Sequence, residues 1–403
     1  MNIYIFEDQD AINLSPISAT RPAFEVYCGI FTGLERIKLF FPDAEFSFFV
    51  RNEFVDMVKQ NYPENNVNPI SVNDGVWLLG NVLWEKDDLN YIINNGYQVY
   101  VNADKIIGMN LGREKGQKWV DSGGPLKNKF GLISELNNGL SSPVINYLWD
   151  AVEYNPRQIM IDSKQYNKGN NLQHTNMVTL IDQDKVFIGE NSIINPYTVL
   201  DASNGEIIIE ENVKINSFCQ LEGPLFIGKG SIIRPNTQLK SGTSIGPFSK
   251  IGGEISQSII QGNTNKIHYG YIGNSYIGEW VNIGAGATCS NIKNNYSNIT
   301  VMIKGELLNT KKNKIGCFIG DYTKIAIGTS LSTGTVIEVG CNISPKNTSL
   351  PKYISPFTWF VNDEKTKYDW EKFVKTLKEY YKGKGSSISE VQLFILKKNF
   401  DNR

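Results

Sequence analysis

The sequence predicts an α/β domain followed by a parallel β-helix and a short helical C-terminus. The main observation is an isoleucine or leucine at every sixth position of one unbroken run. A period of six matches neither the 3.6-residue repeat of a helix nor the alternation of a strand, so the chain must turn a corner after each short strand. These positions are Ile209, Ile215, Leu221, Ile227, Ile233, Leu239, Ile245 and Ile251.

The same period continues on both sides of this run. A β-sandwich is the alternative, but its strands vary in spacing, and eight consecutive aliphatic residues at one interval favour the β-helix. We therefore predict a β-helix over residues 186–350. The additional positions are Ile188, Ile194, Leu200, Ile319, Ile325, Leu331, Ile337 and Ile343.

The remaining organisation follows from local patterns. Apolar runs such as MNIYIF and VWLLG alternate with helix-compatible segments such as EFVDMVKQNY, which predicts an α/β domain over residues 1–162. A polar stretch falls in a predicted linker over 163–185. Residues 351–403 are predicted to form an extended segment and two helices. The first helix is expected from 364 to 381, and Ser387 with Glu390 is expected to cap the second.

Composition limits the function. The 403 residues are 41% hydrophobic and 20% charged with a net charge of -1, which is typical of a globular protein and gives no general attraction for nucleic acid or membranes. The start of the chain is acidic, and no apolar stretch reaches the roughly 18 residues of a membrane span. The five cysteines form no C-x-x-C pair, which favours a reducing compartment. We expect a cytoplasmic protein.

The six-residue repeat, or hexad, is interrupted between Ile251 and Ile319. Loops that leave a rigid scaffold are common places for binding groups. The chain has two histidines. His174 lies in the polar linker, whereas His268 lies in this interrupted region, between Lys266 and a glycine-rich return to the repeat. Imidazole is the usual side chain for accepting a proton near neutral pH, so His268 is the candidate base.

The interrupted region resembles the acetyltransferase half of the bifunctional enzymes that acetylate glucosamine-1-phosphate and join the product to UTP. That family has a left-handed β-helix and carries an Arg-Pro, a lysine before a histidine, Tyr-x-Gly, Asn-x-Gly-Ala-Gly and a later asparagine. The resemblance implies that His268 is catalytic, that five residues bind substrate and that four bind acetyl-CoA. The five residues expected to bind substrate are Arg234, Glu254, Lys266, Tyr271 and Asn282. The four expected to bind acetyl-CoA are Gly284, Ala285, Gly286 and Asn291.

The chain also departs from this pattern. The bacterial enzymes carry a second basic residue after the Arg-Pro, where this sequence has Gly252, Gly253 and Glu254. An acid there can pair with a substrate ammonium, so Glu254 offers a different sugar contact and the identity of the sugar stays open.

The N-terminal half has a weaker pattern. Sugar nucleotidyltransferases open with a glycine-rich loop that cradles the triphosphate, and this loop is absent from NLSPISATRPAFEVYCG. The whole chain resembles a divergent Bacteroidetes-type group of sugar nucleotidyltransferases with a fused acetyltransferase. By that resemblance Arg21 contacts phosphate and Asn81 takes the place of the family's metal-binding aspartate, while Asp104 in VNADK is a separate candidate to supply a carboxylate to Mg²⁺. Asn81 is a poorer ligand than an aspartate.

The leading interpretation is an acetyl-CoA-dependent N-acetyltransferase for an amino-sugar phosphate in UDP-N-acetylglucosamine-type synthesis. The fused domain would use UTP or dTTP, and the chain is expected to form a homotrimer. One alternative is a non-catalytic scaffold of the same fold. Another is a γ-type carbonic anhydrase, which needs three histidines at each zinc site, whereas the repeat region has one.

Overall fold

The structure is a computed structural model that describes residues 1–96, 98–102, 105–128, 136–137, 139–165, 177–346 and 350–403. The predicted fold class is confirmed. An α/β domain is followed by a left-handed parallel β-helix and C-terminal helices. No helix of the described residues is both long and apolar enough to cross a membrane.

The α/β domain is built on one mostly parallel sheet with the strand order β5-β4-β1-β6-β8-β7-β9. The strands of the domain are β1 (Asn2–Phe6), β2 (Tyr27–Cys28), β3 (Phe31–Thr32), β4 (Glu45–Phe49), β5 (Asn66–Val67), β6 (Gly75–Leu79), β7 (Val99–Asn102), β8 (Lys105–Leu111) and β9 (Leu136–Asn137). Among the strands of the described residues, β2 and β3 pair only with each other. Its helices are α1 (Gly33–Phe40), α2 (Val55–Asn61), α3 (Lys86–Asn94), α4 (Arg113–Asp121), α5 (Gly124–Lys127) and α6 (Leu148–Ser163). Because β1 pairs in parallel with both β4 and β6, the carboxyl ends of these strands meet at one edge.

The β-helix has three faces of short, stacked parallel strands. The first face consists of Thr179–Ile181, Val199–Asp201, Gln220–Glu222, Gln238–Leu239, Glu254–Ser256 and Tyr271–Gly273, and the pair Thr288–Cys289 and Ser330–Leu331 follows it. The second face consists of Val186–Ile188, Ile207–Ile209, Leu225–Ile227, Thr243–Ile245, Ile259–Gly262, Tyr276–Glu279, Cys317–Ile319, Thr335–Ile337 and Tyr353–Ile354. The third face consists of Ile193–Ile194, Lys214–Ile215, Ile232–Ile233, Lys250–Ile251, Asn265–Lys266, Asn282–Ile283, Lys324–Ile325, Asn342–Ser344, Thr358–Val361 and Glu364–Lys367.

The aliphatic residues of the hexad point into the interior of this coil. Ile209, Ile227 and Ile245 are register partners on the second face, and each is buried. The inward positions of all three faces form one hydrophobic core. Removing this apolar surface from water stabilises the stacked strands by roughly 25 cal/mol per Å².

The hexad is less interrupted than expected. The inward row continues through Ile255, Ile260, Lys266, Ile272 and later positions, and the strands carrying these residues stay in register with the preceding coil. The spacing changes because some corners are one or two residues shorter. In the part of the interrupted region between Ile251 and Ile319, residues 290–316 leave the coil, and they carry the antiparallel hairpin of Thr300–Ile303 and Glu306–Asn309.

The C-terminal segment corrects two predictions. Glu364–Lys367 is a strand that pairs with Thr358–Val361, and the helix α7 (Trp370–Gly383) begins only after Asp369, whose carboxylate accepts from the Lys372 N–H. The helix α8 (Glu390–Asp401) is capped by Ser389, whose hydroxyl accepts from the Gln392 N–H at 3.1 Å. Ser387 lies too far from the first helical turn to satisfy those N–H groups.

Candidate functional site

A cleft of about 300 Å³ lies at the corner where the third face passes to the first, and it brings two of the predicted residues together. Arg234 and His268 both line this cleft, with Pro235, Gly253 and Tyr269 around them. Successive coils stack here, because the Arg234 N–H donates to the Ile251 carbonyl at 2.7 Å. The corner therefore presents a guanidinium and an imidazole from turns two coils apart on one rigid scaffold, with Gly253 of the intervening turn between them.

His268 is exposed on this corner. Among the described residues, none forms a hydrogen bond with its imidazole ring. Both ring nitrogens are accordingly open to a substrate or to a group from another subunit. A base that accepts a proton needs such access, and its hydrogen bonds often tighten only in the substrate complex.

Lys266 lies inside the coil, where the inward row otherwise carries aliphatic residues. Its backbone is the register partner of Ile251, and the residue is 1% exposed. The ammonium donates to the Gly252 carbonyl at 3.0 Å and to the His268 carbonyl at 2.5 Å. Burial lowers the pKa of Lys266 to about 8. In this position Lys266 supports the corner from within, whereas the resemblance implied a direct contact with substrate.

Glu254 and Tyr271 are side by side at the start of neighbouring strands on the first face. The Tyr271 hydroxyl accepts from the Asn291 amide at 2.9 Å, and the same amide donates to the Asn274 side chain at 2.7 Å. Burial is the largest cause that raises the pKa of Tyr271, with a contribution from the Glu254 carboxylate. Glu254, Tyr271 and Asn291 thus form one polar patch beside the corner.

Asn282 is on a different face from this patch. It opens a strand on the third face, where Asn265 and Lys324 are its register partners. The glycine turn that follows returns the chain to the corner, since the Gly286 N–H donates to the Tyr269 carbonyl at 3.0 Å.

Backbone conformation and close packing explain why the turn from Gly284 to Gly286 carries glycines. Gly286 has a φ of +73°, which favours glycine, and a Cβ at Gly284 would lie 2.5 Å from the Ile327 nitrogen of the next coil. The Gly328 N–H donates to the Ala285 carbonyl at 2.8 Å. The turn is held close to the next coil, so its bare backbone serves the stacking of the coils.

Arg21 makes contacts that the sequence did not suggest. Its guanidinium forms ion pairs with Asp321 and, at 3.2 Å, with Glu279, both on the β-helix. The Thr20 hydroxyl also donates to Asp321 at 2.5 Å. These carboxylates raise the pKa of Arg21 against the opposing effect of its burial. The guanidinium expected to face phosphate therefore joins the two halves of the chain.

The rest of the segment between β1 and α1 also docks on the β-helix. The Ser15 hydroxyl donates to the two carboxylate oxygens of Glu338 at 3.0 and 2.9 Å. The Ser244 hydroxyl donates to the Gly29 carbonyl at 2.7 Å. In sugar nucleotidyltransferases the corresponding segment is the phosphate loop, so this docking leaves it committed to the domain interface.

The described residues do not fit the Mg²⁺ site implied by the resemblance. The Asn81 amide donates to the Ile145 carbonyl at 2.7 Å, and Asn81 is buried. Asp104 lies outside the described residues. The Asp8 carboxylate, at the end of β1, already pairs with Lys105 at 3.2 Å. In the described part of the chain, no three His, Cys, Asp or Glu side chains converge as metal ligands.

Sequence reasoning missed Glu279, Asp321 and Asn274. The two carboxylates, Glu279 and Asp321, meet Arg21 across 258 and 300 positions of sequence, and no local pattern predicts such pairs. Asn274 has a φ of +47° at a corner, so its type alone indicated only a turn residue.

Fold and site together define a chain with a nucleotidyltransferase-like domain and an acyltransferase-type β-helix. Residues 3–171 match the family model described as sugar nucleotidyl transferase. The similarity of the N-terminal half to sugar nucleotidyltransferases, expected from the sequence, is confirmed.

Two curated relatives are named as bifunctional proteins, and one of the names gives both activities. The chain is 36% identical over 143 residues to the bifunctional sugar-1-phosphate nucleotidylyltransferase/acetyltransferase of Sulfurisphaera tokodaii, covering 35% of this chain and 36% of that protein. It is 35% identical over 179 residues to the bifunctional protein GlmU of Methanococcus vannielii, covering 38% of this chain and 42% of that protein. The matches thus span less than half the length of these relatives.

Two solved acyltransferases are similar to part of the chain. The polysialic-acid-specific acetyltransferase NeuO matches with a TM-score of 0.28 and 14% identity, covering 48% of this chain and 85% of that one. The UDP-N-acetylglucosamine acyltransferase of Campylobacter jejuni matches with a TM-score of 0.28 and 13% identity, covering 55% of this chain and 93% of that one. At these scores neither match bears on the chemistry of this chain.

Proposed function

We propose that the protein is an acetyl-CoA-dependent N-acetyltransferase acting on an amino-sugar phosphate such as glucosamine-1-phosphate. The observation that carries this proposal is the corner cleft shared by Arg234 and His268. An arginine can hold a phosphate through paired hydrogen bonds, and a neighbouring imidazole can accept the amine proton. The name of the Sulfurisphaera tokodaii relative, which contains both sugar-1-phosphate and acetyltransferase, supports acetyl transfer and a sugar phosphate as ligand.

In the proposed reaction the substrate amine attacks the thioester carbonyl of acetyl-CoA. His268 accepts the amine proton, the C–N bond forms, and the C–S bond breaks as the coenzyme leaves as a thiol. Arg234 holds the sugar phosphate, while Glu254 and Tyr271 contact the sugar. The turn from Gly284 to Gly286, together with Asn282 and Asn291, completes the sites for the sugar and the coenzyme.

The site is completed in our proposal by a homotrimer. Four large apolar side chains are exposed along the same corner that carries His268, and two of them stack on each other with ring centroids 5.2 Å apart. Such a row is typical of a protein–protein interface. Light scattering at micromolar concentration tests this, and a monomer would contradict it. The four residues are Tyr197, Phe218, Tyr269 and Ile327.

The N-terminal domain is proposed to bind or make the nucleotide sugar, with UTP or dTTP as nucleotide, but slowly. The phosphate loop is replaced by a segment docked on the β-helix, and the carboxylate at the end of β1 is paired with a lysine. The second candidate is a non-catalytic domain of the same fold. The ion pairs of Arg21 favour this candidate for the N-terminal domain but not for the β-helix.

One assay tests both halves. Purified protein is incubated with acetyl-CoA, glucosamine-1-phosphate, UTP and Mg²⁺, and free thiol and pyrophosphate are followed separately. We expect thiol release to be fast and pyrophosphate release to be slow or absent. No thiol release with any amino-sugar phosphate would contradict the acetyltransferase proposal.

A further inference from the structure

A larger cavity lies away from the Arg234–His268 corner, between the two halves of the chain. Its volume is about 490 Å³, within the usual range for small-molecule sites. One wall is the helix α6, which contributes Trp149 and Glu153, and the opposite wall is the returning segment 311–315. Gln257 and Asn274, at neighbouring corners of the coil, form the floor between them.

The cavity carries an excess of positive charge. Lys311, Lys312 and Lys314 all line it, and Glu153 is its one lining carboxylate among the described residues. Glu153 is paired with Lys312. No carboxylate of the described residues pairs with Lys311 or Lys314, so two ammonium groups at the cavity lack a counter-charge from the described chain.

Asn274 gives a second, independent indication of a ligand. It is 7% exposed, its side-chain oxygen accepts from Asn291, and its amide N–H groups have no partner among the described residues. This amide lines the cavity, so a bound acceptor would satisfy its free donors.

We propose that this cavity binds a small molecule bearing a phosphate group. The two lysines would pair with the phosphate, and Asn274 would donate to one of its oxygens. The carboxamides of Gln257 and Asn298 suit hydroxyl groups, and the Trp149 ring offers an apolar wall for a sugar or base. The cavity does not include Arg234 or His268 and touches the acetyl-transfer site only through the contact of Asn274 with Asn291, so the proposal does not rest on the proposed reaction.

Binding of inorganic pyrophosphate, measured by calorimetry at low salt, tests the charge requirement. The variant Lys311→Gln/Lys314→Gln should weaken this binding at least tenfold, while the matched variant Lys375→Gln/Lys378→Gln, which removes two exposed lysines from α7, should not. Asn274→Asp should weaken it as well. Equal affinity in the two double variants, or no binding to the unmodified protein at millimolar pyrophosphate, would overturn the proposal.

A site-specific readout separates this cavity from other anion sites. Bound glucose-1-phosphate should protect Lys311 and Lys314 from acylation by an amine-reactive ester, as followed by mass spectrometry, and free glucose should not. Lys375 and Lys378 should react equally with and without the phosphate. The protection should persist in Arg234→Gln. Unprotected Lys311 and Lys314 at saturating glucose-1-phosphate would contradict the assignment.

Discussion

The Lys266 ammonium donates a hydrogen bond to the backbone carbonyl of His268 at 2.5 Å from inside the coil. It also donates to the Gly252 carbonyl at 3.0 Å, so one buried cation ties two successive turns of the corner. The imidazole proposed to accept the proton is thus mounted on a backbone fixed from within. We infer that Lys266 is a positioning residue for His268.

Replacing Lys266 with methionine should lower kcat by about ten- to a hundredfold, because small displacements of a catalytic group cost rates of this size. KM for acetyl-CoA should change little. The melting temperature should also change little, since methionine fills the same space without a buried charge. Steady-state kinetics and thermal unfolding measure these effects.

Two further variants separate positioning from packing. Ile283→Met changes a neighbouring inward residue and should leave kcat near its original value. Lys266→Arg retains a donor and should recover part of the rate. If Lys266→Met keeps full kcat, or loses kcat only in proportion to unfolding, Lys266 is a structural residue.

The ion pair of Arg21 with Asp321 should stabilise the junction of the two halves. Arg21→Ala leaves Asp321 buried without its partner, which typically costs about 3–5 kcal/mol. A double-mutant cycle with Asp321→Ala, followed by denaturant unfolding, should show strong coupling. The exposed pair of Lys397 and Asp401 should show none.

The same variants test the nucleotide role of Arg21. If its guanidinium contacts phosphate, Arg21→Ala abolishes pyrophosphate release while Asp321→Ala preserves it. If the ion pair only joins the domains, the two variants should affect any pyrophosphate release alike.

Much of the β-helix was predictable because its inward positions repeat one chemistry. Ile227 and Ile245 stack in register as the period of six required. The site was less predictable. A lysine in a strand normally faces water, so nothing in the sequence indicated that Lys266 occupies an aliphatic row. The shortened corners after Ile251 hid the continuing coil, and the partners of Arg21 depend on how two distant segments pack.

Stability should depend on Glu338, which is buried against Ser15 at the junction. Burial raises its pKa from 4.5 to about 7. Because the folded state holds this proton more tightly than the unfolded state, the contribution of Glu338 is complete below about pH 4.5 and is lost as pH rises to about 7. The shift corresponds to at most roughly 3 kcal/mol.

Glu338→Gln keeps the shape of the side chain and removes this titration. The variant should be more stable than the unmodified protein at pH 8, with a smaller difference at pH 5, as measured by denaturant unfolding. Glu211→Gln changes an exposed carboxylate on the coil and serves as the control. A constant difference between pH 5 and pH 8 would show that Glu338 does not titrate in this range.

The last prediction concerns His268 itself. Its imidazole is exposed at the cleft and shares it with Arg234. Removing a positioned base typically lowers the rate by about a hundredfold to ten-thousandfold. We expect His268→Ala to lower kcat steeply and to leave KM for acetyl-CoA nearly unchanged, because the coenzyme contacts are made by other residues. His174→Ala, which removes the other histidine of the chain, should retain full activity. If His268→Ala keeps most of its kcat, then water or another group accepts the proton, and the corner cleft only binds substrate.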